Sequence, residues 1–399
     1  MKILVLNCGS SSIKYKLFEM KSKEVVAQGG IEKIGMKGSF LKLTLPNDQK
    51  VMLEGEILEH RAGIEYILGV LLSEKYGCVK SLSEIEAVGH RVVHGGEYFN
   101  ESVLIDDNVV EKLNECIELA PLHNPPNLKG IYAIQEFMPE TPQVAVFDTA
   151  FHQTMPDYAY MYGIPYPLYE KYGIRRYGFH GTSHRYVSQR VCDFLGVPYK
   201  EQRIITAHIG NGGSVTAIKN GESVDTSMGM TPVEGLIMGT RSGDVDPGVV
   251  SFIMEKERMG TKGISTLLNK FSGVLGISGI SSDMREIESG YNNGNERAIL
   301  AMNTYNYRIK KFVGSYTATL GGLDILVFTG GVGENQAITR EYVCKNMEYM
   351  GIELNEELNR SVRAKEIVIS KPSSKVKVVI IPTDEELTIA NDTMDILHK

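Results

Sequence analysis

The chain has 399 residues, 42% of them hydrophobic and 23% charged, which is the composition of an ordinary globular protein. It has 42 Lys and Arg against 49 Asp and Glu, and the net charge of −7 argues against a nucleic-acid-binding protein held by bulk electrostatics. Five scattered cysteines without a C-x-x-C pair indicate neither a disulfide framework nor a zinc site. Because one hydrophobic core rarely serves a chain of this length, we expect two domains.

The sequence carries no recognisable targeting or membrane-spanning segment. The N-terminus lacks the apolar core of a signal peptide, and no apolar run approaches the roughly 18 residues needed to span a bilayer. The scattered cysteines suit a reducing compartment. We therefore expect a cytoplasmic protein whose partners include neither a membrane nor nucleic acid.

The predicted elements begin with a strand-rich block. The runs "KILVLN", "YKLFEM", "VVAQGGIEKI" and "LKLTLP" predict strands, and "HRAGIEYILGVLLSEKYG" has the apolar spacing of a helix. After them, "IEAVGHRVVHGG" and "PQVAVFDTAF" predict two buried strands, the second with Asp148 at its carboxyl end. The turn "NCGSSSIK" places small hydroxyl residues around Gly9 and ends at Lys14, which suits an anion; an ordinary hairpin turn is the alternative.

A second block repeats this plan. In "RIITAHIGNGGSVTAIKNGE", residues 203–222, an apolar strand enters a polar glycine-rich turn and a strand resumes after it, as in "KILVLNCGSSSIKYKLFE". We interpret the pair as a structural duplication, although two unrelated hairpins can look alike at this level of detail.

A third glycine-rich turn lies in "LDILVFTGGVGEN", residues 323–335. A strand leads into it, and "QAITREYVCKNMEYMG" after it predicts a helix, so the turn suits a phosphate or a nucleotide. At the C-terminus, "VKVVIIPTDEELTIANDTMDIL" predicts a buried strand and a last helix that Thr383 or Asp384 would cap.

Two common nucleotide-binding patterns are absent from the sequence. No G-x-x-x-x-G-K-[ST] occurs, which excludes a P-loop, and no G-x-G-x-x-G opens a helix, which leaves a Rossmann site unsupported. Two similar blocks facing each other would instead hold a triphosphate between them, which is the arrangement of the actin, Hsp70 and sugar-kinase superfamily. We therefore expect an α/β fold of two duplicated, ribonuclease H-like domains with an ATP cleft between them.

Nine motifs, in order from residue 6 to residue 387, resemble those of the acetokinase family. They are "LNCGSSSIKY", "GHRVVHGGE", "PLHNPPN", "FDTAFHQTMP", "RRYGFHGTSH", "HIGNGGS", "DTSMGMTPVEGLIMGTRSGDVDPG", "FTGGVGEN" and "PTDEEL". The resemblance covers essentially the whole chain. It implies reversible, in-line transfer of the γ-phosphoryl group of ATP to acetate, giving acetyl phosphate and ADP, with Mg²⁺, or Mn²⁺ in its place, as cofactor.

The resemblance also implies a domain organisation. Residues 1–150 with the C-terminal helix 386–399 would form one domain, and residues 151–385 would form a second that binds nucleotide and dimerises. The expected homodimer rests on the resemblance alone.

Two arginines are candidates for a charge clamp. Phosphoryl transfer to a carboxylate brings two anions together, so cations matter more than a general base. Arg91 ends a buried strand, and Arg241 lies in a glycine-flanked loop; from the residues alone, a surface ion pair is the alternative for each. The resemblance implies that both act on the carboxylate and the transferring phosphoryl group.

Three histidines are further candidates. His180 would donate a hydrogen bond to the phosphoryl oxygens in the transition state. His184 lies four residues later, so the two histidines could instead be metal ligands. Against this, a third clustered ligand is missing, and phosphate-bound magnesium prefers oxygen ligands. His123 resembles an auxiliary active-site histidine of the family.

Asp148 and the metal positions follow from the same resemblance. The carboxyl end of a strand is where open α/β sheets place catalytic groups, although Asp148 could instead cap a helix. The resemblance makes it an active-site residue that helps to place metal and substrates. Asn7 and Glu385 resemble the family's Mg²⁺ positions, reached largely through water. Asp384 stands where the family usually has asparagine, and we expect it to cap the last helix.

The remaining candidate residues would hold the two substrates. The resemblance assigns the phosphates of ATP to Ser10, Ser12, Lys14, His208, Gly210, Asn211 and Gly212, and the adenosine to Asp283, Met284, Arg285, Gly331, Val332, Gly333, Glu334 and Asn335. It assigns the acceptor to Arg91, His123 and a small apolar set formed by Val93, Leu122, Phe179 and Pro232.

Three other functions remain open from the sequence. Propionate kinase is the nearest, because one methylene is worth only about 1 to 3 kcal/mol of discrimination. A non-catalytic ATP switch of the actin or Hsp70 kind would not need Arg91 and Arg241. A sugar kinase would need polar contacts to its acceptor, whereas the acceptor set here is apolar.

Overall fold

The computed structural model describes residues 1–45 and 49–398. The chain divides into two units: one comprises Met1–Phe151 and the segment from Asp384, and the other His152–Thr383. The boundaries expected from the sequence lie within two residues of these positions.

The first unit is built on an eight-stranded sheet. Its strands are β1 (Lys2–Cys8), β2 (Ser12–Glu19), β3 (Glu24–Glu32), β4 (Phe40–Thr44), β5 (Lys50–Glu54), β6 (Ile85–Val92), β7 (Val103–Leu104) and β8 (Gln143–Phe147), in the order β5-β4-β3-β2-β1-β6-β8-β7. Strands β1 to β5 form an antiparallel meander, whereas β1, β6 and β8 run parallel. The strands predicted in this block are confirmed, and the short β5 and β7 are additions.

Helices cover one face of this sheet. They are α1 (His60–Leu72), α2 (Asp107–Glu115) and α3 (Asn124–Phe137). Because successive side chains of a strand point to opposite faces, Leu4 and Leu6 of β1 pack in the cluster that includes α1 and α3, while Ile3 and Val5 face the other side. The helix α1 ends five residues before the predicted run does, where the sequence turns to Ser73 and further polar residues that have no apolar face to bury.

The second unit repeats the core of the first. Its strands are β9 (Arg203–Ile209), β10 (Gly213–Lys219), β11 (Glu222–Thr226), β12 (Ile325–Thr329), β13 (Ile367–Val368) and β14 (Lys377–Ile380), in the order β11-β10-β9-β12-β14-β13. An antiparallel hairpin, β9 with β10, is followed by the parallel strands β12 and β14, as β1 with β2 is followed by β6 and β8. The expected duplication is confirmed.

The helices of the second unit are α4 (Asp157–Tyr160), α5 (Tyr166–Tyr172), α6 (Gly181–Leu195), α7 (Pro247–Lys256), α8 (Thr261–Lys270), α9 (Gly273–Ser278), α10 (Met284–Asn292), α11 (Glu296–Leu320), α12 (Gly330–Asn335), α13 (Ala337–Cys344) and α14 (Glu356–Ser361). Short 3₁₀ turns lie at Leu82–Glu84, Ala150–Thr154, Tyr199–Glu201 and Glu348–Met350. The long α11 packs against β9 and β10 and lies beside α9, α10 and α13.

The third glycine-rich run differs from its prediction. It is not a loop before a helix, because α12 begins at Gly330, directly after β12. The helix predicted after it is also too long, since α13 ends at Cys344 and only a 3₁₀ turn follows.

The last helix, α15 (Glu385–Leu397), belongs to the first unit. Asp384 is its N-cap, with a side-chain oxygen that accepts a hydrogen bond from the Leu387 N–H at 3.0 Å, which confirms the expected cap. The helix packs on β1, β6 and β8, and it approaches closely because Gly89 has no side chain: a Cβ there would lie 2.5 Å from Thr393 Oγ1. Across the described ranges, no helix is both long and apolar enough to cross a membrane.

Candidate active site

The first hairpin turn connects β1 to β2 and is tightly closed. The Gly9 N–H donates to the Ser12 carbonyl at 2.8 Å, and strand register places Asn7 opposite Lys14. Ser10 is exposed at the tip of the turn. The expected phosphate-side residues Ser10, Ser12 and Lys14 are thus brought together with Asn7 on one hairpin.

Two residues that were not predicted as site residues, Asn127 and His60, hold this turn through hydrogen bonds to its backbone. Asn127 donates through Nδ2 to the Cys8 carbonyl at 2.8 Å and accepts through Oδ1 from the Val93 N–H at 3.0 Å. His60 Nε2 lies 2.6 Å from the Gly9 carbonyl oxygen. Because a carbonyl only accepts, this nitrogen of His60 carries the proton. The end of β1 and the loop after β6 are therefore fastened to the same helix, α3, through Asn127.

Arg91 and Asp148 form a buried ion pair at the ends of β6 and β8. Arg91 Nη2 lies 2.5 Å from Asp148 Oδ2, and Nε lies 3.1 Å from Oδ1, so the contact is bidentate. A third contact joins Arg91 Nη1 to Asn7 Oδ1 at 3.4 Å. The Asp148 side chain is 2% exposed and that of Arg91 24%, so this is not the surface ion pair considered as an alternative.

The electrostatics of this centre suit a cation. Burial raises the pKa of Glu385 to about 7, and the neighbouring Asp148 and Glu386 act in the same direction. Burial alone would lower the pKa of Arg91, but attraction to Asp148 and Glu385 raises it. Glu385 is thus a buried carboxyl group whose ionisation a nearby cation would favour.

The donor set fits magnesium better than zinc. Asn7, Asp148 and Glu385 of the first unit offer oxygen atoms, and Mg²⁺ binds through one or two carboxylates while keeping several waters. Within residues 1–45 and 49–398, no group of three or more His, Cys, Asp or Glu side chains forms a ready metal cage. A metal held largely through water and phosphate oxygens is consistent with both observations.

The second hairpin turn connects β9 to β10, and its register pairs Ile209 with Gly213, whereas the first hairpin pairs Cys8 with Ile13. Its Gly210 N–H donates to the Gly212 carbonyl at 2.8 Å. A Cβ at Gly212 would lie 3.3 Å from Arg241 Nη1 and 3.7 Å from His180 Nε2. The glycine therefore lets an arginine and a histidine from two different segments converge on the turn.

Arg241 has no acidic partner. Its Nη1 donates to the Pro232 carbonyl at 3.3 Å and contacts Met238 Sδ at 3.7 Å. Burial lowers the pKa of Arg241, and in the part of the chain that the structure describes no carboxylate forms an ion pair with it. Its charge is thus available to an anionic ligand.

His180 is held in an unusual backbone conformation. It is the residue before α6, with φ at +57°, a region that non-glycine residues rarely adopt. Its ring stacks on that of His208, with centroids 4.3 Å apart, and its Nδ1 lies 2.9 Å from Ser214 Oγ. This leaves Nε2 on the side of the glycine turn.

His184 is not a metal ligand. Its Nδ1 lies 2.7 Å from Thr206 Oγ1 and its Nε2 2.7 Å from Ser214 Oγ, so hydroxyl groups occupy both nitrogens. Burial, together with the charges of His152 and His208, lowers the pKa of His184 well below its ordinary value. It is therefore a neutral residue behind His180, and the metal alternative from the sequence is excluded.

A cavity of about 670 Å³ lies in the second unit beside the Gly210 turn. Its lining includes many residues predicted for the nucleotide and four that no motif predicts; the lining is Gly210, Asn211, Ser282, Asp283, Met284, Arg285, Glu288, Gly331, Val332, Asn335, Gln336 and Arg363. Asp283 caps α10 by accepting from the Arg285 N–H at 2.9 Å. The cavity has the size of a site for a small organic ligand.

Four of the residues predicted for the nucleotide in the second unit do not line this cavity. Gly212 faces Arg241, and His208 Nδ1 lies 2.7 Å from Ser183 Oγ. Gly333 is buried in α12. Glu334 fastens backbone, because its Oε1 accepts from the Gly330 N–H at 2.9 Å and from the Thr383 N–H at 3.1 Å.

Comparison with known proteins identifies the family of this chain. Residues 2–391 match the Acetokinase family. The chain belongs to the acetokinase family. It is 70% identical over 397 residues to acetate kinase of Azobacteroides pseudotrichonymphae genomovar. CFP2, with 100% of both chains covered.

Two solved structures extend the acetokinase comparison. The crystal structure of Porphyromonas gingivalis acetate kinase matches with a TM-score of 0.96 at 64% identity, covering 99% of each chain. A propionate kinase from Francisella tularensis subsp. tularensis SCHU S4 matches with a TM-score of 0.92 at 43% identity, again over 99% of each chain. Both support the duplicated fold described above.

The acceptor residues expected of an acetokinase are divided between the two units. In the first, Val93 is buried and Leu122 is 63% exposed. In the second, Phe179 is buried and Pro232 is half-buried, with its carbonyl turned to Arg241. His123 is the residue before α3.

Some supporting residues lie inside acetokinase motifs yet carry no signal of their role. Asn124 and Asn127 belong to "PLHNPPN", and Ser214 belongs to "HIGNGGS". Buried asparagine and serine side chains form hydrogen bonds with backbone groups or histidine rings that belong to other segments of the chain. A motif shows that such residues lie near the site, but only the fold shows which atoms they contact.

Proposed function

We propose that this protein catalyses reversible, Mg²⁺-dependent transfer of the γ-phosphoryl group of ATP to acetate, giving acetyl phosphate and ADP. It is a phosphotransferase with a carboxyl group as acceptor, in line with its family and its full-length similarity to acetate kinases. The observation that carries the proposal is the position of Arg241, which forms no ion pair among the described residues, beside His180 Nε2 at a glycine turn that also borders the cavity.

Arg241 and His180 would stabilise the transferring group. Negative charge spreads over the phosphoryl oxygens in the transition state, and fixed donors aimed at it lower the barrier without reorganisation. Arg241 supplies a charge that no carboxylate neutralises, and His180 Nε2 supplies a directed N–H. The glycine turn brings the reacting group close to the backbone.

Arg91 would hold the acceptor. Its guanidinium is fixed by Asp148 on two nitrogens, and Nη1, which makes a long contact of 3.4 Å to Asn7 Oδ1, would donate to an anionic ligand. The acceptor carboxylate is already ionised, so no general base is required. Asn127 fixes the adjacent Val93 N–H, which keeps the loop after β6 in place.

Asn7 and Glu385 would hold Mg²⁺, with Asp148 close by. When bound, the cation neutralises phosphate charge and orients the phosphoryl group for in-line attack. Because Glu385 has a raised pKa, this carboxylate is the one that gains most from a nearby cation.

Acetate is favoured over propionate as acceptor. The chain is 70% identical to one acetate kinase and 64% to another, against 43% to a propionate kinase. A panel of carboxylates from formate to butyrate, assayed with Mg-ATP by hydroxamate trapping, tests this. The highest kcat/KM is expected for acetate, and a higher value for propionate would reassign the substrate. Absence of any acyl phosphate would refute the kinase itself.

A homodimer formed through the second unit is also proposed. Helix α7 contains Val249 and Phe252, yet none of its residues is buried, and other large apolar side chains are exposed in the same unit, namely Tyr158, Tyr166, Leu300 and Tyr307. A second copy of this unit would cover such surface. Light scattering after size exclusion should give twice the chain mass, and Phe252→Glu should give the monomer.

A cytoplasmic location is proposed as well. The five cysteines are free in the structure, as a reducing compartment requires. Cys8, beside the phosphate-side turn, is buried, and burial raises the pKa of its thiol to about 12. Fractionation of cells followed by immunoblotting tests the location.

A further inference from the structure

We infer that Ser214, backed by His184 and Thr206, is a positioning residue that keeps the Nε2–H of His180 directed at the transferring phosphoryl group. The inference deepens the proposed phosphoryl transfer and rests on it. It concerns hydroxyl and imidazole groups that neither bind nor touch the substrates.

The two nitrogens of His180 face different surroundings. Nδ1 points into the protein, where Ser214 Oγ lies 2.9 Å away. Nε2 lies at the Gly212 turn, beside the Nη1 atom of Arg241. Only a proton on Nε2 is useful to a phosphoryl oxygen, because a lone pair there would repel it.

A chain of hydrogen bonds continues behind Nδ1. Ser214 Oγ also lies 2.7 Å from His184 Nε2, and His184 Nδ1 lies 2.7 Å from Thr206 Oγ1. Ser214 and His184 are fully buried, so each of these groups needs a partner. Ser214 has one hydroxyl proton and can therefore donate to only one of its two histidines.

The chain is consistent in two directions. In the first, Thr206 donates to His184 Nδ1, His184 Nε2–H donates to Ser214, and Ser214 donates to His180 Nδ1. Neutral His180 then carries its proton on Nε2. In the second, every bond is reversed, and His180 Nδ1–H donates to Ser214. His180 then donates from Nε2 only when it is positively charged.

A proton on Nε2 of His180 is therefore compatible with both directions of the hydrogen-bond chain. His180 is neutral in the first direction and positively charged in the second. The reversal is open because both partners of His184, among the described residues, are hydroxyl groups that can donate or accept. His152 shows the contrast. Its Nε2 lies 3.0 Å from the Phe179 carbonyl, which can only accept and so fixes the proton on that nitrogen.

An anionic oxygen at the glycine turn selects the states in which Nε2 is protonated. The chain behind His180 lets either of these states form without leaving a buried hydroxyl or ring nitrogen unpaired. Charged and titratable groups that face His180 in the described part of the second unit include Arg241, His184 and His208. The positive charge of Arg241 repels a positive charge on His180. This repulsion favours neutral His180 and hence the first direction of the hydrogen-bond chain.

Ser214→Ala in the full-length enzyme tests the inference. We expect kcat to fall about tenfold or more, because His180 Nδ1 loses the hydroxyl partner that accommodates a proton on Nε2, while KM for acetate and for Mg-ATP stays within about threefold. The chain of hydrogen bonds from His180 through Ser214 and His184 to Thr206 is called the relay below. The same substitution made in a His180→Ala background should change kcat by less than about twofold, because the relay acts only through His180.

Two further sets of variants guard against a purely structural effect. Thr206→Val removes the last hydroxyl at nearly constant volume and should lower kcat, whereas Thr206→Ser keeps the hydroxyl and should restore most of the rate. Ser188→Ala is the matched control, because Ser188 is a buried serine of α6 bonded to the Arg185 carbonyl and to Tyr199. It should leave kcat within about twofold.

The outcomes separate the relay from the proposed function. If wild-type enzyme makes acyl phosphate and Ser214→Ala is equally active, the relay is overturned and the proposed function stands. An equal loss in the His180→Ala background would also overturn it. Should Ser214→Ala fail to fold, the Thr206→Val and Thr206→Ser pair decides, and equal rates in both would refute the relay. An inactive wild type would overturn the proposed function and the relay together.

Discussion

The two units each present one arginine, but they hold its charge in opposite ways. Arg91 of the first unit is clamped by Asp148 through two contacts, and the pair is buried. Among the described residues, the Arg241 side chain of the second unit bonds to the Pro232 carbonyl and the Met238 sulfur and forms no ion pair, and burial lowers its pKa. One cation is oriented and partly neutralised, whereas the other is unneutralised.

This difference separates stability from function. A buried ion pair is costly to break, since removal of one partner leaves the other charge unpaired. A buried cation without a counter-ion already costs free energy, and its removal relieves that cost. Arg91 should therefore serve both the fold and the reaction, whereas Arg241 should serve the reaction alone.

The largest effect is expected for the activity of Arg241→Ala. Its kcat should fall by about 10³-fold or more, because an unneutralised charge directed at the phosphoryl oxygens is lost. Initial rates of acyl phosphate formation measure this. Arg360→Ala, at an exposed ion pair with Glu341 in the same unit, is the control and should retain nearly full activity. A loss of less than tenfold in Arg241→Ala would remove it from the reacting centre.

The two arginine variants should change the free energy of unfolding in different ways. Arg91→Ala should lower the free energy of unfolding by about 3 to 5 kcal/mol, because Asp148 is left buried and unpaired. Arg241→Ala should leave it unchanged or higher. Denaturant titration followed by circular dichroism measures both. Adding Asp148→Ala to Arg91→Ala should recover part of the loss; equal destabilisation by both single variants would contradict the comparison.

Buried histidines should make the two units alike in their response to acid. Burial lowers the pKa of His90 in the first unit and of His152 in the second, each to about 4. In the unfolded chain a histidine titrates near 6.5, so the unfolded state binds protons first as the pH falls. Stability is therefore complete above about pH 6.5 and decreases towards pH 4, by about 2 kcal/mol per histidine at pH 5.

Variants that cannot titrate test this symmetry. Unfolding free energies of His90→Gln and His152→Gln at pH 7.5 and pH 5 should each show a shallower decrease than wild type, by similar amounts. A flatter profile in only one variant would show that the two units differ in their histidines as well as in their arginines.

The smallest effect is expected at Asp384. Asp384→Asn keeps an N-cap acceptor for the Leu387 N–H, so the free energy of unfolding should change by no more than about 0.5 kcal/mol. Asp384→Ala should cost about 1 kcal/mol, because the cap is lost. Thermal unfolding of the three proteins side by side measures both. A change in kcat for Asp384→Asn would instead point to a role near the metal.

Strand pattern and glycine spacing predict much of this fold. The alternation in the first 45 residues and the likeness of the two hairpins lead to the duplicated sheets, since period-2 burial is written directly in the side chains. The position of Asp148 after a buried strand likewise predicts a functional carboxylate. Its partner follows from the parallel pairing of β6 with β8, which brings Arg91 beside it.

Other features depend on contacts that no local pattern contains. Ser214 meets His180 and His184 only because α6 packs on the second sheet, and Asn127 meets Cys8 only because α3 packs on β1. The start of α12 at Gly330 was equally hidden, because glycine favours loops in isolation. Gly330 keeps φ at +76°, and its N–H donates to the Glu334 carboxylate, which the distant Thr383 N–H also holds in place.

The placement of α15 affects the order in which the protein can be completed. The strands that carry the apolar face of Ile3, Val5, Ala87, Val144 and Val146 are translated before the second unit, but Ile389 and Ala390, which cover this face, are translated after it. The first unit is therefore completed only after the whole second unit has been translated. Until then it exposes an apolar sheet face, which is a condition that favours aggregation and recognition by chaperones.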